Sequence, residues 1–433
     1  MVEDMRFYKE IDLQDSPIGK IPKDWKATKM GDVAHVKGRI GWRGLKASEY
    51  TTEGPYLIAN KHLANNKIIW DKCDHLSEFR YTESSEIQLQ INDVIISKDG
   101  TIGQPAFIDS LPDRATINST MMLLRVKNDV LAPEFLFYFL QGPHFKRFLK
   151  QKISGTSIPH LFQRDMKELD FFIPSLAEQR GVVGVLGVVD SAIGLVDRVI
   201  WKAERLKKGL MQTLLTKGIG HTEYKDTPIG KTPKTWQIVR LREKAWVKEG
   251  IYGKRSEEGT IIQLKADSIQ DVGRINAEAY AQISVNRNID DYFLKRDDIL
   301  LSNRNSAALV GKSAIFRGEF GHCVPSNLLT RIRIYSKDML PEWLLYVLIK
   351  MQQAGVLKAL STRAVNQVLL KKESVEKIKV PLPPLHEQQK IVSILLAVDK
   401  KIEIEKNEKT KLERIKPGLM DLFLTGKVRI KVD

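Results

Sequence analysis

The chain has 433 residues, an apolar fraction of 42% and a formal net charge of +16. That length allows two or more ordinary domains with real cores, and the charge suits a polyanionic partner. Two distant cysteines, Cys73 and Cys323, without CxxC or Cys/His spacing exclude a disulfide framework and a structural zinc site, and fit buried thiols in a reducing cytoplasm.

The opening MVEDMRFYKE is polar and unlike a leader. The best apolar stretch, GVVGVLGVVDSAIGLV, is broken by Asp190 and too short to span a bilayer, so a soluble cytoplasmic protein is expected. DSPIGKIPKDW begins at Asp15 and returns as DTPIGKTPKTW at Asp226, with eight of eleven positions identical. Trp25 and Trp236 each follow a Pro-bearing turn and are expected to anchor the entry segment in a core.

Short apolar runs bounded by turn residues come next and read as strands: GPYLIAN, NDVIISKDG and MMLLRV in the first half. The second half has GTIIQLKAD, DDILLSNRN and TRIRIY. PEFLFYFLQ and PEWLLYVLIK read as helices with Pro at the first position. Each half then reaches a Pro-containing strand, DFFIP or IKVPLPP, and closes in a long helix.

The helices carry the clearest period. Val182, Leu186, Val189, Ile193, Val196, Ile200, Ala203, Lys207 and Leu210 alternate steps of four and three. Ile391, Leu395, Val398, Ile402, Glu405, Lys409, Leu412, Lys416 and Leu419 repeat the pattern. Ser175 and Glu178 have capping-box spacing; Pro384 marks the second start. Roughly 40 residues give roughly 60 Å of helix, and neither stripe can be buried alone. An antiparallel pair is expected. Gly181, Gly184, Gly187 and Gly194 admit two readings, close approach by another helix or local softness.

The duplication spans the chain. IPSLAEQRGVVGVLGVVD (173–190) aligns with LPPLHEQQKIVSILLAVD (382–399), GLMQTLLTKG with GLMDLFLTGK, and APEFLFYFL with LPEWLLYVL. The segment after the first long helix matches the N-terminus. The sequence is thus a cyclic repeat cut at one linker, and its termini should lie together on one side of a pseudo-twofold molecule. Residues 227–380 carry 26 Lys/Arg against 16 Asp/Glu; residues 16–173 carry 22 against 18.

Catalytic motifs are missing. GxGxxG, HExxH and a methyltransferase Asn/Asp-Pro-Pro-aromatic phrase do not occur, and SAALVGKS (306–313) has Ser306 where a phosphate loop needs Gly. PDRAT (112–116) is only a faint echo of a nuclease motif, and the eight histidines show no paired spacing.

The paired PIGKxPxxW phrases, the IPSLAEQ and LPPLHEQ helix starts, SKDGTIG (97–103) and SGTS (154–157) resemble the specificity subunit of type I restriction-modification systems over almost the whole chain. The resemblance implies an α+β fold with two similar target-recognition domains, separated by two long antiparallel helices in a coiled coil. Domain 1 would span 1–173, the first spacer helix 174–219, domain 2 220–381, and the second spacer helix and tail 382–433. Each domain would read one half of a bipartite, asymmetric site on double-stranded DNA. The helices would set the gap and dock two modification subunits, with restriction subunits joining them. No cofactor is expected on this non-catalytic chain; S-adenosylmethionine, ATP and Mg²⁺ belong to the partners. Two rivals remain: a stand-alone tandem DNA-binding regulator, or the recognition part of a related methyltransferase or nuclease assembly.

Groove reading favours Arg/Lys for guanine, Asn/Gln for adenine and Ser/Thr/Lys for phosphate. Candidates in the first domain are Arg39, Trp42 and Arg43 in KGRIGWRG, then Lys61, Lys98, Thr101, Asn118, Thr156, Ser157 and His160. In the second they are Tyr252, Lys254 and Arg255 in GIYGKRS, then Lys265, Arg304, Asn305, Lys312, Asn327, Arg363, Asn366 and Gln367. SNRNSAALVG (302–311) departs from SKDGTIG, and STRAVNQ (361–367) from SGTSIPH, as sequence-reading loops should.

Overall fold

Both entry phrases fold as hairpins. Leu13–Ser16 pairs antiparallel with Gly19–Pro22, and Tyr224–Thr227 with Gly230–Pro233. Gly19 and Gly230 hold φ of +114° and +101°, which disfavours any residue with a Cβ. The Trp25 and Trp236 N–H groups then donate to Pro22 and Pro233 carbonyls at 3.2 and 3.0 Å, turning both indoles into the core. The computed structural model describes residues 5–16, 19–39, 45–127, 129–153, 160–270, 273–364 and 367–432.

Two compact units result, one from residues 1–197 with 408–433, the other from 198–407. Their sheets repeat one strand order, with an added edge strand, Lys254–Arg255, in the second. In the first, Pro105–Phe107, Val94–Ser97, Met121–Val126 and Ala34–Gly38 lie side by side, all antiparallel. In the second, Ser313–Ile315, Ile299–Ser302, Leu329–Ile334 and Ala245–Glu249 do the same. A further sheet pairs Ala115–Ile117 parallel to Tyr50–Ile58, with Asp74–Leu76 antiparallel beyond. Cys323–Pro325, Ile261–Leu264 and Tyr280–Ser284 copy it. The β-branched runs that fill these strands suit a pleated, two-sided core. Entry and exit strands close each domain: Lys26–Lys29 pairs with Asp170–Ile173, Gln237–Arg240 with Lys379–Leu382. Both units are therefore mixed α+β domains of one topology.

One buried ion pair is also written twice. Arg125 grips Asp93 with two hydrogen bonds of 2.7 Å, and Arg333 grips Asp298 at 2.7 and 2.6 Å.

The long helices run Leu176–Lys217 and Leu385–Leu424. Within the first unit, Lys416 meets Asp190 and Lys409 meets Asp197, both at 2.7 Å. Within the second, Lys406 meets Glu204 at 2.8 Å and Lys207 meets Asp399 at 2.5 Å. Numbers rise along one helix as they fall along the other, so the pairing is antiparallel. The stripe is deeply buried at Val182, Leu186, Ile391, Leu395 and Ile402, and only half-buried at Val189, Ile193, Val196 and Ile200. Each end merges with a domain core: Phe135, Phe139 and Phe171 pack with Leu186 and Phe423, and Trp343 and Leu344 with Leu215 and Leu395.

The helix-start phrase now has a physical meaning. Gln179 accepts from the Ala132 N–H at 2.7 Å and donates to the Val130 and Pro174 carbonyls. Gln388 repeats this on Leu340, Asp338 and Pro383. Each glutamine thus clasps the loop that launches its domain helix, Pro133–Phe139 or Pro341–Gln353.

The Glu178 N–H does donate to Ser175 Oγ at 3.3 Å, but the Glu178 carboxylate turns to Arg429 instead of completing a capping box. Gly184 and Gly187 face the chain itself, beside Met5 and the Tyr138 hydroxyl. The chain ends do meet: Met5–Lys9 pairs antiparallel with Val428–Val432, from Met5 opposite Val432 to Lys9 opposite Val428.

Both cysteines are buried and free, and burial pushes each thiol up to about 12. SAALVGKS is a turn followed by the strand Ser313–Ile315, with Gly311 at φ +80° against Leu357, and no helix follows to cradle phosphate. Among the described residues no helix is long and apolar enough to cross a membrane.

Candidate nucleic-acid interface

In the first unit SKDGTIG leaves strand Val94–Ser97 and folds back at once. Ser97 Oγ accepts from the Gln104 N–H at 2.9 Å and donates to the Thr101 carbonyl. Gly100 and Gly103 hold φ of +69° and +83°; a Cβ there would stand 2.4 Å from Asn60 Nδ2 and 2.2 Å from Leu149 Cδ1. Only glycine fits.

Three segments fasten this loop. Asn60 Nδ2 donates to the Asp99 carbonyl at 2.8 Å. The Lys98 N–H donates to the Thr120 carbonyl at 2.9 Å, and the Leu161 N–H to the Lys98 carbonyl at 3.0 Å. His160 Nδ1 lies 2.5 Å from Asp99 Oδ1.

Lys61, Lys98, Thr101 and His160 are thereby gathered at one rim. Lys61 and Thr101 are exposed, Lys98 and His160 half-buried. Lys61 is paired with Asp74 at 2.8 Å. Asn118 is 8% exposed and shapes a turn, its Oδ1 accepting from Thr120 N–H and Oγ1 at 2.9 and 2.6 Å. Arg39 is 3% exposed and donates to the Ile117 carbonyl and Ser84 Oγ; burial lowers its pKa. These two stand in the frame behind the rim. Trp42, Arg43, Thr156, Ser157 and Asn366 lie outside the described residues.

The second unit folds its loop back in the same way, the Gly311 N–H donating to the Ser302 carbonyl at 2.8 Å as the Gly103 N–H does to that of Ser97. On this longer loop Arg304–Asn305 pairs with Gln367–Leu369, which pairs with Thr362–Ala364, in a three-stranded ribbon. Arg304, Arg363 and Gln367 are exposed on it, while Asn305 donates to Ser302 Oγ at 3.2 Å.

Beside this ribbon, the Asn303 N–H donates to the Leu328 carbonyl at 3.0 Å, and the Asn327 N–H to the Ile251 carbonyl at 2.9 Å. Tyr252, Lys254, Arg255 and Asn327 are exposed in that neighbourhood. Gly250 and Gly253 permit the close packing: a Cβ would stand 2.2 Å from the Ser326 carbonyl and 2.3 Å from Ile283 Cδ1. Lys265 and Lys312 are half-buried, and the Lys312 carbonyl accepts from the Ser302 N–H.

The candidates are not matched pairs. The Asn118 N–H meets the Ile58 carbonyl as the Ser326 N–H meets that of Leu264, so Asn118 corresponds to Ser326 rather than Asn327. Asn60 and Asn303, which fasten the rims, were missed because a lone polar residue has no periodic signal. Missed as well were Tyr138, Asp190 and Lys416 with Tyr346, Asp399 and Lys207, although their constant spacing in the repeat was there to find.

A family model described as type I restriction modification DNA specificity domain matches residues 22–205 and again 233–414. The type I restriction enzyme MjaVIII specificity subunit of Methanocaldococcus jannaschii is 29% identical, over 100% of this chain and 99% of that one. Among solved structures, the S subunit of a type I restriction-modification system from M. genitalium aligns with a TM-score of 0.57 and 16% identity, covering 95% and 99% of the two chains. A chain from work on complex assembly and conformational transition of the type I R-M system aligns at 0.58 and 20%, covering 94% and 99%.

Proposed function

The chain belongs to the type I restriction-modification DNA specificity family, as a non-catalytic specificity subunit, and from that premise we propose that its two domains each read one half of a bipartite, asymmetric site on double-stranded DNA. The long helices set the gap and dock two modification subunits. Restriction subunits complete the assembly, and S-adenosylmethionine, ATP and Mg²⁺ act on those partners.

One observation carries this reading. The two units share a common sheet frame and the same fold-back at the rim, but the rim loops differ in length and sequence, SKDGTIG at 97–103 against SNRNSAALVG at 302–311. A common frame suits a common geometry on the duplex; unlike exposed residues, Thr101 in one unit and Arg304, Arg363 and Gln367 in the other, suit unlike base sequences. Half-sites on one face of B-DNA lie about 34–36 Å apart per turn, a spacing that paired helices hold and a flexible linker does not. Docking is supported by Val188, Leu195, Trp201 and Leu206 on the first long helix and Ile404 and Ile415 on the second, all more than half exposed.

Methyl transfer by the chain assembled with its modification subunits tests the reading. A duplex with both half-sites should be methylated, and duplexes with either half-site alone should not. Equal methylation of a single half-site would contradict the bipartite reading, and unchanged DNA binding and regulation without any partner would favour a tandem regulator.

A further inference from the structure

Lys207 and Lys416 occupy seam positions where the stripe calls for apolar residues. Both do the same thing there. Lys416 Nζ lies 2.7 Å from Asp190 Oδ1, and the Tyr138 hydroxyl donates to Asp190 Oδ2 at 3.0 Å. Lys207 Nζ lies 2.5 Å from Asp399 Oδ1, and the Tyr346 hydroxyl donates to Asp399 Oδ2 at 2.7 Å. Each ammonium also stands 5.6 Å from the centre of the tyrosine ring. Each triad joins three elements: a domain helix through Tyr, one long helix through Asp, and the opposite long helix through Lys.

The tyrosines are 208 residues apart, the aspartates 209 and the lysines 209. Around them the helices diverge, VVDSAIGLVDR against AVDKKIEIEKN. Tyr138 and Tyr346 are 6% and 2% exposed, and burial, then the neighbouring aspartate, raises both phenols, so each hydroxyl stays a donor.

Partly buried ion pairs add little net stability, because desolvation offsets their attraction. Their attested use is to fix register and orientation, which apolar seams leave free to slide. We infer that Tyr138–Asp190–Lys416 and Tyr346–Asp399–Lys207 are positioning residues that seat each recognition domain on the helices at one angle, and so set how strictly the gap between half-sites is discriminated. This rests on the proposed bipartite reading. The exposed pair Lys406–Glu204, 48% and 50% exposed, serves as the control.

The test uses the full assembly with its modification subunits. Duplexes carry both half-sites, taken from the methylated motif of the host, with the native gap or one base pair more or less. Tyr346→Phe and Tyr138→Phe each remove one oxygen; Lys207→Met keeps the seam filled if either Phe variant folds poorly. Each should raise the off-gap to native-gap methylation ratio about tenfold, the scale of one lost charge-assisted hydrogen bond. Preference for bases within each half-site should stay as in the wild type, and Lys406→Ala should leave the ratio unchanged. A lowered Tm with an unchanged ratio would make the triads merely structural and overturn the inference. A wild type indifferent to the gap would instead overturn the bipartite reading itself.

Discussion

The Trp236 indole N–H donates to Glu387 Oε2 at 2.9 Å, while Glu387 Oε1 accepts from the Ile219 N–H at 3.0 Å and faces His221 Nε2 at 2.9 Å. One buried carboxylate thus ties the helix start, the entry indole and the linker leaving the other long helix. Glu387→Ala leaves the indole and the Ile219 N–H without an acceptor. It should cost about 1–3 kcal/mol in denaturant unfolding, whereas an exposed change such as Glu204→Ala should cost less than about 0.5 kcal/mol.

The counterpart Glu178 has a different partner because its joint is made from two chain ends. Arg429 donates to Glu178 at 2.5 and 2.7 Å, to Glu10 at 2.6 Å and to Asp24 at 2.9 and 2.8 Å. Arg429→Met should cost about 3–5 kcal/mol, since it strands buried Glu178, and should expose the strand Met5–Lys9 to protease.

Acid should act on the same joint. The Arg429 guanidinium holds Asp24 below its ordinary 3.8; the Asp12 N–H, then Arg429, hold Glu10 below 4.5. Folded values below unfolded ones give stability that is present above those unfolded values and lost as pH falls through the folded ones. Unfolding followed from pH 6 to pH 2 should therefore show a steeper loss below about pH 4.5 in the wild type than in Arg429→Met.

Asp298 and Arg333 form the second copy of the buried bidentate pair, with the Asp298 side chain 2% exposed. Asp298→Ala should cost about 3 kcal/mol or more, and adding Arg333→Leu should recover part of that loss. Strict additivity of the two changes in chemical denaturation would show that the pair is not coupled.

Arg304 and Lys254 should fail differently on DNA. Arg304 is exposed on the ribbon at the second rim, so Arg304→Ala should relax one base position in one half-site by about 1–3 kcal/mol. Lys254, on an edge strand, should contact phosphate: Lys254→Ala should weaken all duplexes alike and reduce the salt dependence. Titration of a panel of single-base variants separates these outcomes.

Much of the fold was legible because its signals are local. VIIS, MMLLRV, ILLS and RIRI announce strands by β-branched and long apolar residues between turns, and all are strands. The stepping from Val182 and from Ile391 announced both long helices. What stayed hidden is non-local. The repeat announced that the chain ends would meet, but not that Met5–Lys9 and Val428–Val432 would do so as paired strands. Asn60 and Asn303 earn their positions from segments far along the chain. Arg39 and Asn118 look like readers by residue type, yet both are buried just beyond the ends of their strands. Lys207 and Lys416 lay in plain view as seam residues, but their charge has meaning only beside tyrosines from another helix.

The strut itself is best tested by sequencing modified bases in the host genome, with the natural gene and with a version lacking four residues at matching positions of each long helix. The natural gene should give two unlike short blocks separated by a fixed gap. The shortened one should keep both blocks and narrow the gap by one or two base pairs, since about 6 Å of helix is removed against about 3.4 Å per base pair. A contiguous motif, or a gap that the deletion leaves unchanged, would contradict it.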